Sequence, residues 1–278
     1  REAEVEAFIP EEYWSLGVVL QKGKSKIEAQ LVEYRGEKPS LPSHGAVNEV
    51  LATLEDKPCR VVSVKETFRT TRPRPPFTTS TLQQTAANRL GFTSRKTMRI
   101  AQQLYEGVAV GKSPVGLITY MRTDSTRVSG QAISDVRGFI GEHYPKGLPD
   151  KPNSYSKSRG AQEAHEAIRP TYVKYTPDYV KEYLSRDQFK LYSIIWERFV
   201  SSQMTNGRTK TTSIDLSIGD GLFRATATTI AEPGYQAVLK LLKSKEKSRR
   251  LPKVAEGEEL AVLEFSPEQH FTTGPSRY

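Results

Sequence analysis

The chain has 278 residues, 36% of them hydrophobic, with 41 basic residues against 32 acidic ones and a formal net charge of +9. Its length allows one large or two ordinary domains with a sizeable core, and it holds no apolar run of the roughly 18 residues that a membrane span needs. The single cysteine, Cys59, excludes an internal disulfide and a cysteine-cluster metal site, which fits a reducing cytoplasm, while the basic excess favours a polyanionic partner.

The chain opens without methionine, Arg1-Glu2-Ala3-Glu4, which suggests a piece cut from a longer protein, with 1–13 as the end of a preceding domain or a linker. Residues 14–21 and 27–34 read as strands separated by the turn Lys22-Gly23-Lys24-Ser25. A helix over 45–54 can be capped by Ser43, and 59–71 alternates apolar and polar residues as a half-buried strand does. Arg60, Lys65, Arg69, Arg72 and Arg74 face a single acid, Glu66, in a basic run suited to phosphate. That run ends in Arg72-Pro73-Arg74-Pro75-Pro76, a stiff connector that cannot continue helix or sheet.

From Phe77 the pattern becomes helical. Ser80 or Thr79 can cap a helix that stops at Gly91, and Ser94 can cap a second that stops at Gly107. The pair resembles a helix-turn-helix, with Arg95, Lys96 and then Arg99 at the start of its second member, where a helix end can meet phosphate. Residues 116–125 read as an apolar strand that delivers Tyr120 into a polar loop; 129–143 read as a helix and 145–160 as an exposed, mobile loop. Asp187 can cap a helix whose Leu191, Ile194, Ile195, Trp196 and Phe199 form a core stripe on one side. Strands follow over 210–218 and 223–230, joined at Gly219-Asp220-Gly221, then a basic loop near 240–253 and a last strand over 259–265. The fold class is therefore α+β, with a mostly helical segment, 77–205, between two β-rich parts, 14–76 and 206–265; 266–278 reads as a link to a following domain.

In an extended chain alternate side chains share a face, so Tyr120, Arg122 and Asp124 project together while Thr119 and Met121 face away. A free phenol has a pKa of about 10 and becomes a useful nucleophile only when a neighbouring cation favours its ionised form. A guanidinium can supply that charge and also grip phosphate through paired donors. His165 sits in Glu163-Ala164-His165-Glu166-Ala167-Ile168-Arg169-Pro170; a single helical turn would place His165 and Arg169 on one face, against the bias that Pro170 imposes on Arg169. No clustered metal ligands, Gly-rich phosphate loop or serine nucleophile elbow accompanies these residues.

The string Gly-Leu-Ile-Thr-Tyr-Met-Arg-Thr-Asp-Ser-Thr at 116–126 resembles the active-site motif of bacterial type IA DNA topoisomerases. The Phe77–Leu90 segment, the His165 segment and Ala7–Trp14 are similar to further stretches of that family, in the family's order; Thr272–Tyr278 departs from its usual proline run before Arg-Tyr. The resemblance implies that Tyr120 attacks single-stranded DNA and joins its 5′ phosphate without ATP, and that negative supercoils relax as a strand passes through the gap. It also implies that Arg122, His165 and Arg169 assist, with Ser80, Thr81 and Gln83 as further DNA contacts. In the family the β-rich parts form an arch that lets the inserted domain swing. The family works in the cytoplasm at the nucleoid, without a membrane or a nucleotide cofactor, together with the remaining domains of its own polypeptide. Its Mg²⁺ is bound by an acidic amino-terminal TOPRIM domain, which nothing before Arg1 matches, so the isolated chain is expected to fail at relaxation. The competing reading is a non-catalytic clamp for single-stranded DNA whose tyrosine is structural.

Overall fold

The computed structural model describes residues 2–111, 113–155, 165–242 and 250–274. In chain order its elements are α1 (Glu2–Glu6), β1 (Glu12–Lys22), β2 (Ser25–Tyr34), α2 (His44–Leu54), β3 (Cys59–Thr71), α3 (Thr79–Leu90) and α4 (Ser94–Glu106). There follow β4 (Val108–Val110), β5 (Ser113–Val115), α5 (Gly130–His143), α6 (Pro177–Val180), α7 (Arg186–Ser202), β6 (Gly207–Ile218), β7 (Gly221–Glu232) and β8 (Glu259–Phe271). The mixture is α+β, as the sequence pattern predicts. The chain forms two compact units, one of residues 1–69, 210–229 and 247–278, the other of 70–209 and 230–246.

The first unit is built on a closed barrel with strand order β1-β2-β7-β6-β3-β8. Alternation sets its inner face: along β2 the buried residues are Ile27, Ala29 and Leu31, each separated by an exposed one. Leu16, Val18 and Leu20 of β1, Val61 of β3, Ile214, Leu216 and Ile218 of β6, and Phe223 of β7 fill the same core. Burying each of these large side chains contributes roughly 1.5–3 kcal/mol. The β1–β2 hairpin pairs Lys22 with Ser25, and its turn needs a left-handed residue, which Gly23 supplies at φ 57. Ser43 caps α2 by accepting from Ala46 N–H, and Val47, Val50 and Leu54 join the barrel core. The strand expected over 259–265 continues to Phe271, because β1 pairs with it as far as Glu12.

The second unit is organised around α7, whose residues from Leu191 to Ser202 are all buried. The one-sided stripe expected there is corrected: Phe77, Leu82, Phe92, Leu104, Leu117, Met121, Val136, Ile140 and Ile168 share its core. Three caps also lie earlier than their expected positions. Thr78 caps α3 in a reciprocal box with Thr81, Thr93 caps α4, and Ser185 caps α7. Asp187 pairs instead with Lys96 at 2.6 Å. The α3–α4 turn closes at Gly91, which is left-handed at φ 68. The loop expected over 145–160 is held down in its described part: Asn153 donates to the carbonyls of Ser202 and Met204, and Tyr155 donates to Ser202. Residues 156–160 of that loop and 243–249 of the basic loop lie outside the described residues.

Candidate functional site

Residues 116–127 do not form the regular strand that their apolar alternation suggests. They run as an irregular segment held on both sides by threonine hydroxyls and short backbone pairings. On one side Thr119 N–H donates to Arg169 O (2.9 Å), Thr171 N–H donates to Leu117 O (3.0 Å), and the Thr119 hydroxyl donates to Ala167 O (2.7 Å). On the other, the Thr79 hydroxyl donates to the carbonyls of Met121 (2.8 Å) and Thr123 (3.0 Å) and accepts from Thr123 N–H (2.9 Å). Ile168 N–H closes the set on Phe77 O at 2.8 Å, and Ala167 N–H on Arg127 O at 2.8 Å. Three stretches that are distant in sequence, 77–79, 116–127 and 165–171, are thus tied into one scaffold.

The half-buried Tyr120 emerges from this scaffold. Its ring meets Tyr105 edge-on, with centroids 5.5 Å apart and planes at 67°, and lies 5.2 Å from the imidazole of His165 at 34°. Among the described residues nothing hydrogen-bonds to its hydroxyl. Past it the alternation holds: Met121, Thr123 and Ser125 are buried, while Arg122 and Asp124 are exposed. Among the described residues Arg122 has no carboxylate partner, and no hydrogen bond joins it to Tyr120. The arrangement therefore presents a phenol with an open hydroxyl, an exposed imidazole against its ring, and an uncommitted guanidinium two residues on. Those are the parts needed to bind a phosphate and attack it.

Arg169 departs from its expected place. Residues 165–170 are extended, since Ile168 bridges Phe77 and Pro170 bridges Ile118, so no helical turn brings Arg169 onto the face of His165. Its Nε and Nη2 both lie 2.8 Å from Glu166 Oε2, and Nη1 donates to Pro170 O at 3.0 Å. With that side chain only 13% exposed, Arg169 is committed to holding its own segment. Glu163 lies outside the described residues. Thr81 is engaged in the α3 cap, and Ser80 is exposed with its hydroxyl 3.2 Å from that of Thr78. Gln83 is half-buried, Arg95 is exposed and without a partner among the described residues, and Lys96 is divided between Asp187 and the Phe92 ring, 4.2 Å from its centroid.

Sequence reasoning passed over four residues. Thr79 appears in the pattern only as a helix cap, yet its hydroxyl carries the Met121–Thr123 turn. Tyr105, 40% exposed, supplies the second ring against Tyr120. Gly116 lets two backbones touch, because a Cβ there would stand 2.7 Å from Tyr105 O. Arg127 is an exposed cation whose backbone is bonded to the His165 segment. The apolar-then-basic wording of 116–127 signals Arg127 once the segment is known to fold back.

A family model for DNA topoisomerase matches residues 1–278. DNA topoisomerase 1 of Treponema pallidum (strain Nichols) is 48% identical over 279 residues, covering 100% of this chain and 38% of that protein. DNA topoisomerase 1 of Xylella fastidiosa (strain 9a5c) is 43% identical over 294 residues, covering 100% of this chain and 36% of that protein. Among solved structures, full-length topoisomerase I from Thermotoga maritima matches with a TM-score of 0.79 and 35% identity, over 100% of this chain and 44% of that one. The chain therefore spans less than half the length of these relatives.

Proposed function

Because the chain belongs to the bacterial DNA topoisomerase family, we propose that it is the portion of a type IA topoisomerase I that carries the nucleophile. Tyr120 loses its phenolic proton and attacks a phosphodiester of single-stranded DNA. A bond forms between its oxygen and the 5′ phosphate, the bond to the 3′ oxygen breaks, and that oxygen leaves protonated as a hydroxyl. The phosphotyrosine linkage conserves the energy of the broken bond, so the reverse attack rejoins the strand without ATP. Passage of the other strand in between relaxes negative supercoils.

The observation that carries this reading is the cluster of Tyr120, with its hydroxyl open, the imidazole of His165 at 5.2 Å, and Arg122 exposed and free of carboxylates among the described residues. Arg122 stabilises charge developing on the phosphate, His165 binds the same phosphate, and Arg169 acts by fixing the 165–171 segment. Arg127 extends the cationic surface along the segment, and Arg95 offers a separate phosphate contact at the start of α4. The parts 14–76 and 206–265 serve as the arch that lets 77–205 move, and the protein works in the cytoplasm.

The family also implies Mg²⁺. Among the described residues no three His, Cys, Asp or Glu side chains come together to hold a metal, so no step here runs through one; we place the ion in a TOPRIM domain outside this chain. The test is a labelled single-stranded oligonucleotide incubated with the chain, Mg²⁺ and that domain supplied in trans. A covalent 5′-phosphotyrosine adduct that is absent in Tyr120→Phe is expected, and no relaxation of supercoiled plasmid by the chain alone. Salt-sensitive binding with no adduct under any condition would leave only a single-strand clamp.

A further inference from the structure

The second unit holds a cation that the proposed chemistry does not use. Arg198 lies on α7, is only 8% exposed, and has no carboxylate or hydrogen-bond partner for its guanidinium among the described residues. Its guanidinium stacks on the ring of Phe77, whose centroid lies 4.2 Å from Cζ, and the phenols of Tyr155 and Tyr235 act on it to favour its charged form. That stacking occupies a face of the guanidinium and leaves the in-plane N–H donors free. Among the described residues the only fully enclosed side-chain nitrogen or oxygen without a partner is Nη1 of Arg137, so the free nitrogens of Arg198 keep a path to solvent. Burial, and then the like charge of Arg74, draw the Arg198 guanidinium down to about 10. Arg74 is exposed, and among the described residues it too lacks a carboxylate partner.

A recessed cation with no counterion is costly to keep charged, and a second cation beside it raises that cost. The missing component is an anion that can accept from the free edge of the Arg198 guanidinium, with Arg74, three residues before Phe77 in the chain, as a second cation acting on the same place. Phe77 connects the place to the candidate site, since its carbonyl accepts from Ile168, three residues beyond His165.

We propose that Arg198 and Arg74 form a phosphate-binding site, recessed over Phe77, that takes a backbone phosphodiester of the bound single strand. The nucleic-acid part rests on the functional reading above; the anion part does not. A phosphodiester fits because its two free oxygens match the paired donors of a guanidinium, and because the stacked arginine supplies geometry that a lysine lacks.

The experiment has two arms. In the first, binding of a fluorescent oligo-dT to the 278-residue chain is followed by anisotropy across a KCl series. Arg198→Met and Arg74→Gln are each expected to weaken binding by about tenfold and to reduce the slope of log affinity against log salt by about 0.7, the share of one single-strand phosphate. Arg198→Lys should keep the slope while losing affinity. In the second, inorganic phosphate at matched ionic strength should raise the melting temperature of the wild type and leave that of Arg198→Met unchanged, with Arg198→Met melting no lower than wild type when phosphate is absent. Unchanged slopes in both variants, with binding still weakened by Arg122→Ala, would overturn the inference while the functional reading stands. Loss of wild-type oligonucleotide binding with phosphate stabilisation intact would refute the functional reading and leave the anion site. Equal phosphate stabilisation of wild type and Arg198→Met would reduce it to adventitious ion binding and sink it. Arg74→Gln is exposed, so it decides the first arm even if Arg198→Met folds poorly.

Discussion

The barrel and the Tyr120 scaffold use charge in opposite ways. Around the barrel several cations are matched: Arg224 grips Asp215 through Nε–Oδ1 at 2.6 Å, Lys210 meets Glu66 at 2.6 Å, Arg60 meets Glu259 at 2.7 Å, and Lys22 pairs with Glu258. Along the segment that carries Tyr120, Arg122 and Arg127 are exposed and have no acid partner among the described residues. Paired surface charges serve the fold and add little beyond it. Unpaired cations, here Arg122 and Arg127 against the single exposed acid Asp124, raise the local concentration of a polyanion. The excess of +9 read from composition is thus not spread evenly in its use.

The contrast is sharpest where the scaffold itself is cut. Thr79→Val keeps the shape of the side chain but removes a hydroxyl that bonds Met121, Thr123 O and Thr123 N–H. It leaves buried main-chain groups unsatisfied, and an unfolding cost of about 2–3 kcal/mol is expected in denaturant melts. Gly116→Ala is next. Its new Cβ collides with Tyr105 O, which is backbone and cannot swing aside, so about 1–2 kcal/mol is expected. It should also lower adduct yield with the complementing domain present, since Tyr105 would be pushed off the Tyr120 ring.

On the barrel side the test is Asp215→Asn, with an expected cost of about 1 kcal/mol because water screens the half-exposed Arg224. The hydrogen bonds from Arg224, aided by Ser63, hold the Asp215 carboxyl below the ordinary carboxylate range against a smaller opposing effect of burial. A depressed carboxylate stabilises the fold above its ordinary titration range, near pH 4. That stabilisation is lost as pH falls through the depressed value. The gap between wild type and Asp215→Asn should therefore be full at neutral pH and close on acidification. A gap that persists or widens in acid would show that Asp215 contributes shape and not charge.

The barrel was largely legible in the sequence because period-two alternation and the glycine turns are local signals, and β1, β2, β3, β6 and β7 follow them. The scaffold was less so. Four consecutive hydroxyl residues, Thr78 to Thr81, can each cap a helix, and only the third dimension decides that Thr78 caps with Thr81 while Thr79 turns to the Met121 loop. The alternation over 116–125 predicts a strand, but strands need continuous partners, and this segment finds only single bridges supplemented by hydroxyls. The Pro170 bias against helix was readable and prevailed, which sets Arg169 on Glu166. The contact of His165 with Tyr120 was beyond any local pattern, because it depends on Ile168 and Pro170 docking to Phe77 and Ile118. The wording singled out Tyr120, Arg122 and His165 as candidates; it did not indicate which of them touch.

The smallest expected stability effect discriminates best between the two uses of charge. Arg122→Ala and Arg127→Ala remove exposed cations that support no described contact of the fold, so each should alter unfolding free energy by no more than about 0.5 kcal/mol. Each should nonetheless remove about 0.7 from the salt slope of oligo-dT binding, because releasing one phosphate from the complex removes one counterion exchange. Lys96→Met is the internal opposite: Lys96 pairs with Asp187, whose carboxyl the Lys96 hydrogen bond draws below its ordinary range, and rests on Phe92. It should lower the melting temperature slightly and leave the salt slope alone. If instead Lys96→Met flattens the slope as much as Arg122→Ala does, the division between cations kept for folding and cations kept for DNA fails. Binding would then be a property of net charge and not of the Tyr120 face.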